Sequence, residues 1–289
     1  MKNIVTRFAP SPTGRLHLGH AFSALLAHDY ARQHDGTFLL RIEDIDLGRK
    51  RPEFVDGIIE DLIWLGLEPD GEIVYQSERF PLYRDALSRL KDRGLAYPCF
   101  CTRSDIAQEI AASAEAPHGP DGPLYPGTCR TLAPDQAARR LEAEPHAWRL
   151  DVARAAAMAG SLYWEDDHTE VQAEPERFGD VVLARKDAPT SYHLAVTVDD
   201  ADQGVTDVVR GRDLFAATDI HRLLQALLEL PTPRYRHHPL LTDASGQRLA
   251  KRHGARTLAD LRASGADPAE LVANLRAGTL PAGYSAAEA

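Results

Sequence analysis

Residues Ile4 to Phe8 form a short apolar run that closes in the turn-rich stretch Ala9-Pro10-Ser11-Pro12-Thr13-Gly14. From Gly19 the pattern changes to helical spacing, with Phe22, Leu25, Leu26 and Tyr30 recurring on one side. A buried strand passed through a Pro/Gly turn into a helix is the opening of a βα unit, and few fold classes accommodate it. The alternation continues. Thr37 to Ile42 reads as a second strand and ends in the acidic run Glu43-Asp44-Ile45-Asp46. Phe54, Ile58, Leu62 and Leu65 mark a helix with Pro52 in its first turn, and Leu82 to Leu90 marks another. This order predicts an α/β chain with a doubly wound parallel sheet.

The pattern breaks between about Tyr97 and Phe178, a stretch that holds every cysteine, a Pro/Gly loop from Ala116 to Gly127 and an Ala/Arg/Glu-rich helix near Gln136 to Glu144. It reads as an insertion packed on the sheet domain. The α/β pattern resumes at Val181. Ser191 to Val198 is apolar and β-rich, Val205 to Val209 is strand-like, and Ile220, Leu223, Leu224, Leu227 and Leu228 mark a helix. Another strand-like segment, His238 to Leu241, precedes a basic window; Leu258 to Ala277 reads as short helices, and the tail from Gly278 is expected to be mobile. The expected organisation is residues 1–96 as the first half of the sheet domain, 97–179 as the insertion, 180–241 as the second half and 242–289 as a loop with a short helical piece.

The 289 residues suffice for a sizeable core, and 44% hydrophobic with 26% charged residues is ordinary for a globular chain. No apolar run reaches bilayer length and no secretory leader is visible, so the expectation is a soluble, cytoplasmic protein without a membrane partner, most simply a monomer. The net charge of −10 argues against bulk nucleic-acid binding but leaves room for a local basic patch. Arg248, Lys251, Arg252, Arg256 and Arg262 offer one, with a solvated face as the alternative.

Two motifs point to phosphate chemistry. Pro10 to His20 joins a strand to a helix, where backbone N–H groups and the helix dipole attract anions. Within it, Gly19 would let a ligand approach the backbone, and His17 and His20 could donate to phosphate oxygens. Far downstream lies Gln247-Arg248-Leu249-Ala250-Lys251-Arg252-His253-Gly254, where a loop lysine could neutralise a triphosphate. Each motif alone is equally compatible with a surface loop.

Cys99, Cys101 and Cys129 lie within one 31-residue span. An odd count without a secretory signal argues against a disulfide framework. Three thiolates suit Zn²⁺ in a closed tetrahedral site; Tyr125, a weak acid whose phenol could ionise beside the metal, and His118, the commoner ligand type, compete for the fourth position. Three free thiols are the alternative.

Taken together, Arg7-Phe8-Ala9-Pro10-Ser11-Pro12-Thr13-Gly14 and His17-Leu18-Gly19-His20 resemble the HIGH signature of class I aminoacyl-tRNA synthetases, with flanks of the glutamyl type. Arg41 to Asp46, Ser191 to Ala195 and Asp199-Asp200 through Val209-Arg210-Gly211 are similar to further blocks of that family. Arg248 to Arg252 sits where its KMSKS loop would be. The resemblance runs from about Arg7 to Arg256. The loop departs from the pattern: Arg248, Ala250 and Arg252 replace a lysine and two serines, and Lys251 alone keeps the critical position.

The resemblance implies a class I Rossmann-type parallel sheet domain with an inserted zinc-binding subdomain and a short helical C-terminal piece. It implies that Arg7, the loop Phe8-Ala9-Pro10-Ser11, Glu43, Tyr192 and Arg210 bind L-glutamate, with Glu43 taking the ammonium and Arg210 helping to read a carboxylate. His17, Gly19, His20 and Lys251 would bind ATP, accompanied by Mg²⁺, and His17, His20 and Lys251 would carry the rate. A substrate with two carboxylates and one ammonium needs cationic forks and one anion, which these residue types supply. A short subfamily, the glutamyl-Q tRNA(Asp) synthetases, is known for a Cys-x-Cys…Tyr-x3-Cys site in the insertion. That favours Tyr125 as the fourth ligand of one structural Zn²⁺.

The sequence runs about 37 residues past the Lys251 loop, so the family's large anticodon-reading domain is expected to be absent. A radius of gyration of about 19 Å would not span both ends of a tRNA. The expected partner is therefore tRNA(Asp) carrying queuosine, whose cyclopentene diol in the wobble nucleotide would accept glutamate. A minimal glutamyl-tRNA synthetase charging the 3′ end and a catalytically silent RNA- or protein-binding paralogue are the alternatives.

Overall fold

The computed structural model describes residues 3–112, 118–120, 122–243, 256–280 and 284–287. The chain opens with β1 (Val5–Phe8), α1 (Leu18–Gln33) and β2 (Thr37–Ile42), followed by α2 (Pro52–Trp64), β3 (Val74–Tyr75) and α3 (Phe80–Asp92). Strands β1 and β2 pair in parallel, Val5 against Thr37 through Phe8 against Leu40, and β2 continues in parallel onto β3.

The middle of the chain contributes β4 (Ala96–Cys99), α4 (Arg103–Ala112), β5 (His118–Gly119), β6 (Gly122–Pro123), α5 (Pro134–Ala143), β7 (Ala147–Leu150), α6 (Val152–Ala159), β8 (Tyr163–Asp166) and β9 (Thr169–Gln172). The last part holds β10 (Val182–Ala184), α7 (Tyr192–Asp202), β11 (Asp207–Gly211), α8 (Ala217–Leu228), β12 (Arg234–His238), β13 (Leu240–Asp243), α9 (Leu258–Ala263), α10 (Pro268–Arg276) and β14 (Tyr284–Ala287). An antiparallel sheet of order β10-β7-β4 carries the cysteine-bearing insertion. Strand β11 pairs in parallel with β12, and β12 with β8, whose hairpin partner is β9.

The two parallel pieces meet at their starts. Thr206 N donates to Val5 O at 2.9 Å, and Val5 N donates to Thr206 Oγ1 at 2.8 Å. Strand order therefore runs β3-β2-β1 on one side and β11-β12 on the other, reversing between β1 and β11. Open α/β sheets bind ligands outside the carboxyl ends of the strands at such a reversal. Phe8, Ile42 and Gly211 end the three strands nearest to it, which brings the 9–14 loop, Glu43 and Arg210 to one edge.

Two apolar clusters hold the frame. One joins α1, α2, β1 and β2 to α9 and α10 through Leu18, Leu25, Phe38, Leu40, Ile58 and Leu275. The other joins α3, α6, α7 and α8 through Leu90, Ala155, Leu194, Ile220, Leu223 and Leu224. Helix α7 overturns the β reading of Ser191 to Val198. A short apolar run does not distinguish a strand from a buried helix, and here Leu194, Ala195, Val196 and Thr197 are all buried. The Thr197 hydroxyl is satisfied within the helix by donating to His193 O at 2.8 Å. Part of the tail expected to be mobile forms a strand: β14 pairs antiparallel with β13, Tyr284 against Asp243 through Ala287 against Leu240. Among the described residues no helix is long and apolar enough to cross a membrane.

Candidate active site and metal centre

The His-x-Gly-His motif is, first of all, a helix cap. His17 Nδ1 accepts from Gly19 N at 3.1 Å, and His20 Nδ1 accepts from His17 N at 3.1 Å, a reciprocal box that satisfies orphan donors at the start of α1. Since each ring accepts at Nδ1, each neutral ring carries its proton at Nε2. The rings lie 3.9 Å apart between centroids. The space beside Gly19 expected for a ligand is taken partly by the His17 ring: a Cβ there would stand 3.0 Å from His17 Cε1.

Beneath this cap lies a buried charge network. Arg7, on β1, donates from Nε to Asp200 Oδ1 at 3.0 Å and from Nη2 to Asp200 Oδ2 at 3.4 Å. Arg41, fully buried on β2, pairs through Nη2 with Asp200 Oδ1 at 2.8 Å and donates from Nη1 to Gln203 Oε1 at 2.8 Å. Its neighbour Asp199 is held by Gln76 Nε2 at 2.7 Å, Arg79 Nε at 2.7 Å and the Tyr83 hydroxyl at 2.8 Å. Glu43 follows β2; its backbone N donates to Pro10 O at 3.0 Å, joining the two candidate glutamate loops. Its Oε1 lies 3.7 Å from Arg41 Nη2. Burial pushes the Glu43 carboxyl up to about 7, against the pull of Arg41 and Arg7 and with help from Asp200 and Asp199.

Arg210, on β11, is held from all sides. Nη2 donates to Thr218 Oγ1 at 2.6 Å and Leu214 O at 3.0 Å, Nε to His237 Nε2 at 3.1 Å, and Nη1 reaches His221 Nδ1 at 3.3 Å and the Tyr192 hydroxyl at 3.5 Å. Burial and the Arg210 charge keep the surrounding imidazoles neutral, lowering His193 to about 4 and His237 to about 2. The tautomers follow: His237 accepts at Nε2 and donates from Nδ1 to Asp166 Oδ1 at 2.9 Å, while His221 passes a proton donor from Nε2 to His193 Nδ1 at 3.2 Å. Burial raises the Tyr192 phenol, so its hydroxyl is a donor.

Ser11, Glu43, Tyr192 and His193 line a cavity of about 990 Å³ whose far wall is the cysteine-bearing insertion, through Cys101, Tyr125 and Arg149. Of the residues expected to bind glutamate, Glu43, Ser11 and Tyr192 line it, whereas Arg7, Phe8, Pro10 and Arg210 are buried and do not line it, and Ala9 is half-buried. Lys251 lies outside the described residues, as do Arg248 and Arg252. Asp200, Arg41 and Asp199 are members of the network to which the sequence reading assigned no role. The Asp199-Asp200 pair stood in plain view, but a strand reading of the preceding run hid that both carboxylates sit on one helix aimed at β1 and β2.

The three sulfurs lie within 4.8 Å of one another. Cys101 Sγ is 3.4 Å from Cys129 Sγ, and the Tyr125 hydroxyl is 3.4 Å from Cys99 Sγ and 3.5 Å from Cys101 Sγ. A tetrahedral Zn²⁺ with Zn–S bonds of about 2.3 Å puts its sulfurs about 3.8 Å apart, so the set fits that ion. The Tyr125 hydroxyl lies beside these sulfurs and accepts from Cys129 N at 2.9 Å, whereas His118 is exposed on β5 and stands outside the sulfur group. Burial raises the Tyr125 phenol, so its ionisation needs a cation nearby; the Arg149 guanidinium lies 3.9 Å from the ring centroid.

Residues 3–285 match the family described as tRNA synthetases class I (E and Q), catalytic domain. The chain belongs to that family. Within the class I tRNA synthetases, it is 52% identical to a glutamyl-Q tRNA(Asp) synthetase of Rhodobacter capsulatus over 93% of this chain and 98% of the relative. It is 46% identical to one of Symbiobacterium thermophilum over 93% of this chain and 84% of the relative. Among solved structures, a glutamate tRNA ligase from Elizabethkingia meningosepticum, in complex with its amino acid, is similar at a TM-score of 0.73 and 28% identity. It matches 88% of this chain, which spans 53% of that ligase. The expected class I synthetase fold and the ligase reading are both borne out.

Proposed function

We propose that this chain activates L-glutamate with ATP and transfers the glutamyl group to the cyclopentene diol of queuosine in the wobble position of tRNA(Asp). The observation that carries this reading is its 52% identity over 98% of the length of a protein named for that reaction. The site's chemistry agrees: a raised carboxyl and a phenol donor line the cavity and two guanidinium groups are buried nearby, residue types that complement an amino acid with two carboxylates and one ammonium.

In the first step the glutamate α-carboxylate attacks the α-phosphate of ATP and pyrophosphate leaves. Glu43 pairs with the substrate ammonium, Arg7 and Arg210 supply positive charge near its carboxylates, and the Tyr192 hydroxyl donates to one of them. Nε2 of His17 and of His20 donates toward the phosphates, and Lys251 neutralises them; Mg²⁺ accompanies ATP. In the second step a hydroxyl of the acceptor attacks the adenylate carbonyl and AMP leaves. No side chain forms a covalent intermediate; positioning and charge carry the rate. Cys99, Cys101, Cys129 and Tyr125 would hold a Zn²⁺ ion that ties the insertion together, a structural part with no open position.

Glutamate-dependent exchange of pyrophosphate into ATP tests the first step. Exchange is expected without any tRNA, and Lys251→Ala is expected to lower it strongly while leaving glutamate affinity largely intact. Exchange that appears only after tRNA is added contradicts tRNA-independent activation, and an unchanged rate in Lys251→Ala removes that lysine from the mechanism.

A further inference from the structure

Asp61, on α2, is fully buried, and neither carboxylate oxygen has an aligned hydrogen-bond donor. A buried carboxylate without such donors is costly unless charges of opposite sign hold it. Two do. Arg262, on α9, brings Nη1 to 3.2 Å of Asp61 Oδ1, and the positive charge of Arg15 acts on the same carboxylate. Arg15 lies along this face of α2 over Gly57, which stands one helical turn before Asp61 and has no side chain: a Cβ there would collide with Arg15 Nη1.

The two arginines come from the two segments that the ATP reaction needs in register. Arg15 stands two residues before His17, and α9 follows the Lys251 segment in sequence. These segments also join through the backbone, Leu258 N donating to Leu16 O at 2.9 Å, with His17 bridged to Thr257. Among the described residues, none of Arg15, Gly57, Asp61 and Arg262 lines the cavity that Glu43 and Tyr192 line.

We propose that Asp61 is a positioning residue for ATP: by pairing with Arg262 and attracting the charge of Arg15 it sets the His17 loop against the start of α9. The inference rests on the ATP-dependent reading above. It predicts that loosening the cluster raises the KM for ATP and leaves glutamate binding alone.

The test uses the full chain as wild type, Asp61→Asn and Gly57→Ala. Asn keeps the shape and removes the charge. Ala displaces Arg15 while favouring the helix, so a merely structural role predicts a melting temperature and an ATP KM no worse than wild type. Glutamate-dependent exchange is measured over a range of ATP, with glutamate affinity by calorimetry and melting by circular dichroism. The expected result is an ATP KM raised at least fivefold in both variants, a glutamate Kd within twofold of wild type, and an undiminished melting temperature for Gly57→Ala. Gly57→Ala decides alone if Asp61→Asn does not fold. Wild type that exchanges while the variants keep its ATP KM, or a parallel loss of glutamate affinity, overturns the role of Asp61 by itself. Wild type that does not exchange at all instead removes the functional reading on which the inference rests.

Discussion

Arg7 and Asp200, 193 positions apart in sequence, close a buried two-point ion pair, Nε to Oδ1 at 3.0 Å and Nη2 to Oδ2 at 3.4 Å. Asp200 also holds Arg41, so a single carboxylate on α7 fixes the guanidinium groups of two adjacent strands. Asp200→Ala would leave two buried cations without their counterion. It is expected to lower stability by about 3–5 kcal/mol, the usual cost of breaking a buried pair. Asp200→Asn, which preserves shape, is expected to fold and to weaken glutamate binding at least tenfold. Chemical denaturation and calorimetry measure the two; an Asn variant with wild-type affinity would detach Asp200 from the site.

Glu43 sets a pH dependence. Its carboxyl is pushed from 4.5 up to about 7 by burial, so the folded chain keeps a proton that the unfolded chain has already lost. The sign follows: ionisation of Glu43 costs nothing below about pH 4.5, begins to cost stability above it and reaches its full cost above about pH 7. Glu43→Gln is therefore expected to raise the melting temperature at pH 8 and leave it nearly unchanged at pH 4.5. Because an ammonium pairs with the ionised form, glutamate affinity in the wild type is expected to rise about tenfold from pH 6 to pH 8. A flat affinity profile would place the ammonium elsewhere.

The metal centre is tested by composition. Metal-replete protein is expected to carry one zinc per chain by elemental analysis, and less than half an equivalent would count against the site. Tyr125→Phe is expected to lower zinc retention during dialysis against a chelator, since the phenol oxygen lies 3.4 Å from Cys99 Sγ and 3.5 Å from Cys101 Sγ. Undiminished retention would assign the fourth ligand position to water or to another residue.

Much of the frame was legible in the sequence because β1, α1, β2 and α2 follow local rules: a buried strand, a Pro/Gly turn, a helical stripe and Pro52 at a helix start. The cysteine cluster was legible because metal ligands are few and chemically distinct. The nature of α7 was not. Its residues favour strands, and only packing against α3, α8 and β10 makes it a helix. With α7 misread, the meeting of Asp199 and Asp200 with Arg7, Arg41 and Arg79 stayed hidden, since contacts between β1 and α7 leave no periodicity in either. The meeting of Arg15, Gly57, Asp61 and Arg262 was hidden for the same reason: Arg262 reads only as part of a basic window, and one glycine in a helix and three charges in separate segments carry no signal of contact. The histidines were read for chemistry, and their capping geometry shows that they also start α1.

The acceptor is the center of the account, and one measurement reaches it most directly. tRNA(Asp) is prepared with and without queuosine, its 3′ end blocked while the queuosine diol is left intact, and each form is incubated with the protein, ATP and labelled glutamate. Label is expected on the queuosine-bearing tRNA, in the anticodon fragment after nuclease digestion, and to vanish when periodate oxidises the queuosine diol first. Equal labelling of both forms, or labelling confined to the 3′ adenosine of unblocked tRNA(Glu), would contradict it and make the chain a minimal glutamyl-tRNA synthetase.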